Sequence, residues 1–173
     1  GGTGDDVFDL SAVITNEDHS ITDFESAGAV VGDTITLAAA KTTATTAAGA
    51  DLAIGTLTAV QGTEETAYGA FATGASNTID LLIVTATNTN GDLSADAVDG
   101  TQLLTDIMDD PAKGITVVAN SEFYILAYDD TTAYLYYAHE LNNTVLVDTE
   151  IVLIATIDTI TAGSFVAADF VLG

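Results

Sequence analysis

Phe123-Tyr124-Ile125-Leu126-Ala127-Tyr128, followed by Asp129-Asp130-Thr131-Thr132 and then Tyr134-Leu135-Tyr136-Tyr137, is the stretch whose reading decides the fold. Two aromatic-rich, strand-like runs joined by a short polar turn read as a β-hairpin. Outward from it, threonine, valine, isoleucine and tyrosine dominate the apolar segments, which favours strands over helices. Further strands are expected at Thr34–Leu37, Thr78–Thr85, Ile115–Ala119, Thr144–Val147 and Glu150–Ile157. Asn88-Thr89-Asn90-Gly91-Asp92 supplies turn punctuation between them. One helix capped by Asp99 is expected, because Leu103, Leu104, Ile107 and Met108 fall on one face and the pattern stops before Asp109-Asp110-Pro111. Thr42 to Ala50 mixes alanine with threonine and has little apolar face, so it reads as a spacer. No unit of 20 to 50 residues repeats visibly along the chain. The expected fold class is all-β with one short helix.

The 173 residues carry 26 acidic side chains against two lysines and no arginine, a formal charge of −24. A nucleic-acid binder needs cations to displace counterions from phosphate, and an anionic membrane surface would repel this chain for the same reason. Neither nucleic-acid binding nor membrane insertion is expected. Excess charge alone can signal disorder, but 48 of the 173 residues are Val, Ile, Leu or Phe, about 28%. That is above the ~20% ceiling of disordered chains. Cysteine is absent, which excludes disulfides and thiolate metal sites. No basic segment followed by an apolar run opens the chain, so no cleaved leader is expected, and no apolar run approaches membrane-spanning length.

Gly1-Gly2-Thr3-Gly4-Asp5-Asp6-Val7-Phe8-Asp9 matches a glycine-rich nonapeptide with aspartate sixth and a large apolar residue eighth. Glycines allow tight turns at positive φ, so carbonyl oxygens can converge in one loop. An aspartate adds a carboxylate, and calcium takes six to eight oxygen ligands. Phe8 starts a short strand that packs inward. This nonapeptide resembles the repeats-in-toxin family of calcium-binding secreted bacterial proteins. Ile21-Thr22-Asp23-Phe24-Glu25 and Val31-Gly32-Asp33-Thr34-Ile35-Thr36-Leu37 look like the segment that follows the last repeats in that family. The tail Ala168-Asp169-Phe170-Val171-Leu172 is similar to the C-termini of large surface proteins exported by type I secretion.

The resemblance implies a Ca2+ cofactor, with Asp6 as side-chain ligand and carbonyl ligands from Gly2 and Gly4. Asp9 joins this candidate set, and Asp23 and Asp33 enter it as oxygen donors or turn-formers. A single copy implies a site completed by a neighbouring turn or another chain. The implied fold is the last turn of a calcium β-roll followed by a mostly antiparallel β-sandwich. The expected organisation is a terminal repeat and capping segment over 1–40, the spacer over 41–50, and a β-rich domain with an export-like tail over 51–173. Implied partners are the type I secretion machinery and either other copies of the chain or the repeats of a parent chain. The implied location is the bacterial cell surface, outside the cell.

Catalytic signatures are missing. Histidine occurs only at His19 and His139, and Asp18-His19-Ser20 are adjacent, which does not aim three side chains at one point. Neither H-E-x-x-H nor G-x-S-x-G occurs. The neighbouring carboxylate pairs Asp5-Asp6, Glu64-Glu65, Asp109-Asp110 and Asp129-Asp130 point to opposite faces if they lie on strands. Asn142-Asn143-Thr144 forms a glycosylation sequon, and Tyr68 and Phe71 mark a candidate binding face in the middle segment. No enzyme is expected. The chain reads as a structural module serving export, calcium-dependent folding and surface-layer assembly. The second reading is a self-assembling subunit of an extracellular filament or lattice.

Overall fold

A computed structural model of the chain describes residues 2, 4–12, 19–26, 32–38, 54–57, 80–84, 99–108, 115–117, 119–120, 122–129, 131–141, 145–158, 160 and 164–173. The spacer 41–50, the residues Tyr68 and Phe71, the pairs Glu64-Glu65 and Asp109-Asp110, and the sequon lie outside this set. Strands β1 (Val7–Asp9), β2 (His19–Ile21), β3 (Thr34–Leu37), β4 (Ile54–Leu57) and β5 (Leu81–Val84) precede helix α1 (Gly100–Met108). After it come β6 (Ile115–Thr116), β7 (Glu122–Asp129), β8 (Thr132–His139), β9 (Val145–Leu146), β10 (Ile151–Ile157) and β11 (Phe170–Leu172). Among the described residues the fold is mostly β with one short helix, as the composition of its apolar segments implies.

The expected hairpin is the centre of the molecule. β7 and β8 pair antiparallel from Glu122↔His139 to Asp129↔Thr132, so the chain reverses between Asp129 and Thr132. Their six internal positions are buried on both strands. Tyr124, Leu126, Tyr128, Leu135 and Tyr137 point into one core, while Phe123, Ile125, Ala127, Tyr134 and Tyr136 point into another. A strand apolar on both faces must be covered on both. One cover is a three-stranded sheet in the order β1-β3-β11; the other is α1 with the short β6-β9 pair. Between them lies a six-stranded sheet, β2-β10-β8-β7-β5-β4.

Strand direction departs from expectation. Of the eight described pairings, β1–β3, β11–β3, β2–β10, β4–β5 and β5–β7 are parallel. Only β7–β8, β8–β10 and β6–β9 are antiparallel, so the sheets are not mostly antiparallel. Antiparallel neighbours announce themselves through short local turns, whereas parallel neighbours need long crossovers that leave no local signal. The chain starts in the small sheet at β1, crosses to the large sheet at β2, and returns beside β1 at β3. Strands β1 to β3 therefore share both sheets and one core with β7, β8, β10 and β11. Phe8, Ile35 and Phe170 occupy matching positions across the small sheet. Leu10 and Leu172 flank Leu37 in the same way, since the Leu10 amide donates to Thr36 O at 2.9 Å and Leu172 is in register with Leu37.

Asp99 caps α1 as expected, its Oδ1 accepting the Thr101 amide at 2.8 Å. Leu103 and Leu104 are fully buried against the second core. The helix begins at a glycine because nothing larger fits. A Cβ on Gly100 would lie 2.7 Å from Ile151 Cδ1 and 2.9 Å from the Asp148 backbone. Gly100→Ala is expected to cost about 1–3 kcal/mol by overpacking, read as a lowered urea midpoint.

Burial also sets an alkaline limit. Tyr124 accepts the Ala38 amide at 3.1 Å with its hydroxyl buried, and burial pushes that hydroxyl up to about 12. Burial, reinforced by Glu122, raises Tyr137 as well. Both are raised above the ~10 of an unfolded tyrosine. Their contribution is complete below about pH 10 and is lost as pH rises through the folded values, at about 1.4 kcal/mol for each pH unit climbed between the unfolded and folded values. The urea midpoint is expected to hold level to about pH 9.5 and then fall steeply. Tyr124→Phe should flatten that fall.

Candidate functional site

The sequence-derived candidates gather where the chain enters β1 and β3. Gly2 and Gly4 hold φ of +125° and +133°, a region that side chains disfavour, and a Cβ at either position would meet no heavy atom within 4 Å. Glycine is required there for backbone shape rather than space. The Gly2 amide donates to Asp23 Oδ2 at 2.7 Å, which ties the segment entering β1 to the turn leaving β2.

Asp33 sits deepest, at 1% exposure. Its Oδ1 accepts the Asp6 amide and its Oδ2 accepts the Glu25 amide, each at 2.9 Å. The Asp33 amide returns a bond to Glu25 O at 2.8 Å, and the Thr34 amide donates to Asp6 O at 2.8 Å. One carboxylate thus fastens three segments: the start of β1, the turn after β2, and the start of β3. Hydrogen bonds to an ionised acceptor are the stronger kind. This bonding accords with the turn-forming reading of Asp33.

Asp9 lies on the outer face and accepts the Ser11 hydroxyl at 2.6 Å and its amide at 3.0 Å. The Ser11 hydroxyl, more than the amide, holds the Asp9 carboxyl below the usual range. Asp6 is half-buried and has no side-chain hydrogen bond among the described residues. The structure brings Asp6 and Asp33 together through backbone bonds and places Asp23 against Gly2. Asp9 stays with Ser11.

Among the described residues no three His, Cys, Asp or Glu side chains converge as a metal centre requires. Asp23, Asp33 and Asp9 already accept hydrogen bonds from backbone donors. His139 lies near the surface with Nε2 3.5 Å from Glu122, and His19 is on β2. Asp18 lies outside the described residues, so no triad is described.

Sequence reasoning missed a second buried carboxylate of this kind. Asp169 is fully buried, and its Oδ2 accepts the Val166 amide and lies 2.8 Å from the Ser26 hydroxyl. That hydroxyl is also 2.8 Å from Ser164 O. Glu140 Oε2 accepts the Asn120 amide at 2.6 Å, and Glu150 accepts the amides of Leu141 and Val147. The usable signal is the scarcity of cations. With two lysines in the chain, a buried carboxylate has to find backbone and hydroxyl donors.

Comparison of the chain with family models, with curated proteins and with solved structures found no match.

Proposed function

We propose that the chain is a non-catalytic structural module of a secreted bacterial surface protein, and that it closes the end of a coil of parallel strands. The observation that carries this reading is the path β1→β2→β3. One strand lies in each facing sheet, and the third returns in parallel beside the first, fastened by Asp33. That crossing and parallel return support the roll-end reading drawn from the nonapeptide. The next partner of β3 is β11, so the coil stops where the C-terminal strand completes the small sheet.

Calcium enters this reading through charge. A net −24 resists compaction, and millimolar divalent cation outside the cell would relieve it; no closed site within the described residues is needed. Export of type I kind fits the terminal Asp169-Phe170-Val171-Leu172. Phe170 and Leu172 are almost wholly buried, so a transporter would read that tail before folding. The test is to fuse residues 115–173 to an unfolded passenger in cells carrying a type I exporter. Passenger in the medium supports the reading, and retention of every passenger inside the cell counts against it.

The second reading, a self-assembling subunit, draws on the outer edge of β1, where Val7 is 68% exposed. Electron microscopy with calcium and with chelator separates the two: ordered polymers that vanish on chelation favour the subunit.

A further inference from the structure

Asp6-Val7-Phe8-Asp9-Leu10 and Asp33-Thr34-Ile35-Thr36-Leu37 are two copies of one pattern, Asp-x-apolar-x-Leu, placed in register by strand pairing. They are 27 residues apart, and three shared positions in five are too few to stand out as a sequence repeat. In the second copy, Asp33 is the acceptor for the amide of its counterpart one turn earlier, Asp6. In the first copy, the Asp6 carboxylate has no such donor among the described residues. A parallel ladder uses alternate residues on each side. Asp6 O and the Leu10 amide bond to β3, which turns the amides of Val7 and Asp9 toward the outer edge.

We infer that the outer edge of β1 is a docking surface for a preceding turn of the same coil: a strand–turn–strand segment with an Asp-x-apolar-x-Leu strand, whose Asp amide bonds the Asp6 carboxylate. Two further features select this occupant. β1 and β2 are terminal strands of facing sheets, and the Gly2–Asp23 bond ties them at one end. A coil turn supplies one parallel strand to each. A second copy of the chain fits poorly. Its charge of −24 is repelled by an equal charge, and its sheets of three and six strands have unequal widths, offering no matched pair of edges at the opposite end.

This deepens the coil-closing reading and rests on it, but not on export or calcium. The experiment duplicates residues 5–31 in tandem ahead of Asp5 and follows amide hydrogen exchange. The amides of Val7 and Asp9 in the original copy are expected to slow by at least roughly tenfold relative to the unduplicated chain. Asp6→Ala in that copy should abolish the slowing, yet leave the melting temperature of the unduplicated chain unchanged. Unchanged exchange in a folded duplicate overturns the inference. So does concentration-dependent slowing in the unduplicated chain, which would identify a second copy as the occupant. If the duplicate does not fold, a synthetic peptide of residues 5–31 is titrated into the unduplicated chain, and absence of saturable change at Val7 and Asp9 overturns it. A failed passenger-export assay beside slowed amides would refute export while leaving the docking surface standing.

Discussion

Asp33→Ala is expected to destabilise the folded chain by about 3–5 kcal/mol, seen as a large fall in urea midpoint with little change in slope. The change removes two charge-assisted hydrogen bonds at 2.9 Å and strands the amides of Asp6 and Glu25 beside a buried cavity. Each such bond contributes about 1.5–3 kcal/mol. Asp33→Asn keeps the size and one acceptor oxygen, so roughly half the loss is expected. Asp6→Ala is the control. Its carboxylate has no hydrogen bond among the described residues, and a change within about 0.5 kcal/mol is expected. Equal effects at the two positions would contradict the assignment of Asp33 as the fastening residue.

The second large effect lies at the C-terminus. Phe170 is 1% exposed and contacts Phe165, with ring centroids 5.3 Å apart. Phe165 in turn packs on Phe24 at 5.0 Å and Tyr128 at 6.3 Å. Phe170 thus stands at the end of an aromatic chain joining Phe24, in the turn after β2, to the central hairpin. Phe170→Ala is expected to cost about 3–5 kcal/mol through lost burial and a residual cavity. Deleting Phe170–Gly173 removes Leu172 too and leaves Ile35 and Leu37 without one of their two neighbouring strands. The sum approaches the whole ~5–15 kcal/mol that holds a typical domain. Loss of the near-ultraviolet circular dichroism of the tyrosines is the expected readout, and a native-like spectrum after deletion would show that β11 is dispensable.

The hairpin is legible in the sequence because its signal is local: two aromatic runs and a polar turn sit within one short stretch. The cap at Asp99 and strand β3 are legible for the same reason. What escapes is everything set by sequence-distant partners. His19–Ile21 is only three residues long and pairs with β10 far along the chain, so neither length nor turn chemistry marks it. Parallel direction escapes likewise, although Phe123 to Tyr128, apolar on both faces, carries the hint that the sheet is covered twice. At the candidate site the sequence singles out Gly2, Gly4, Asp23 and Asp33. Gly2 and Gly4 do hold the glycine-specific backbone, while Asp33 and Asp23 accept amides. A carboxylate's letter does not distinguish a cation from an N–H donor. Only its burial and neighbours do.

Repulsion among the carboxylates is open to a single comparison. Urea unfolding of the whole chain is followed in millimolar calcium, in chelator, and in sodium chloride matched for ionic strength. Calcium is expected to raise the midpoint clearly above the matched sodium chloride, because a divalent cation relieves the repulsion among carboxylates beyond simple screening. Coincident curves in all three solutions would contradict a calcium-dependent folding module.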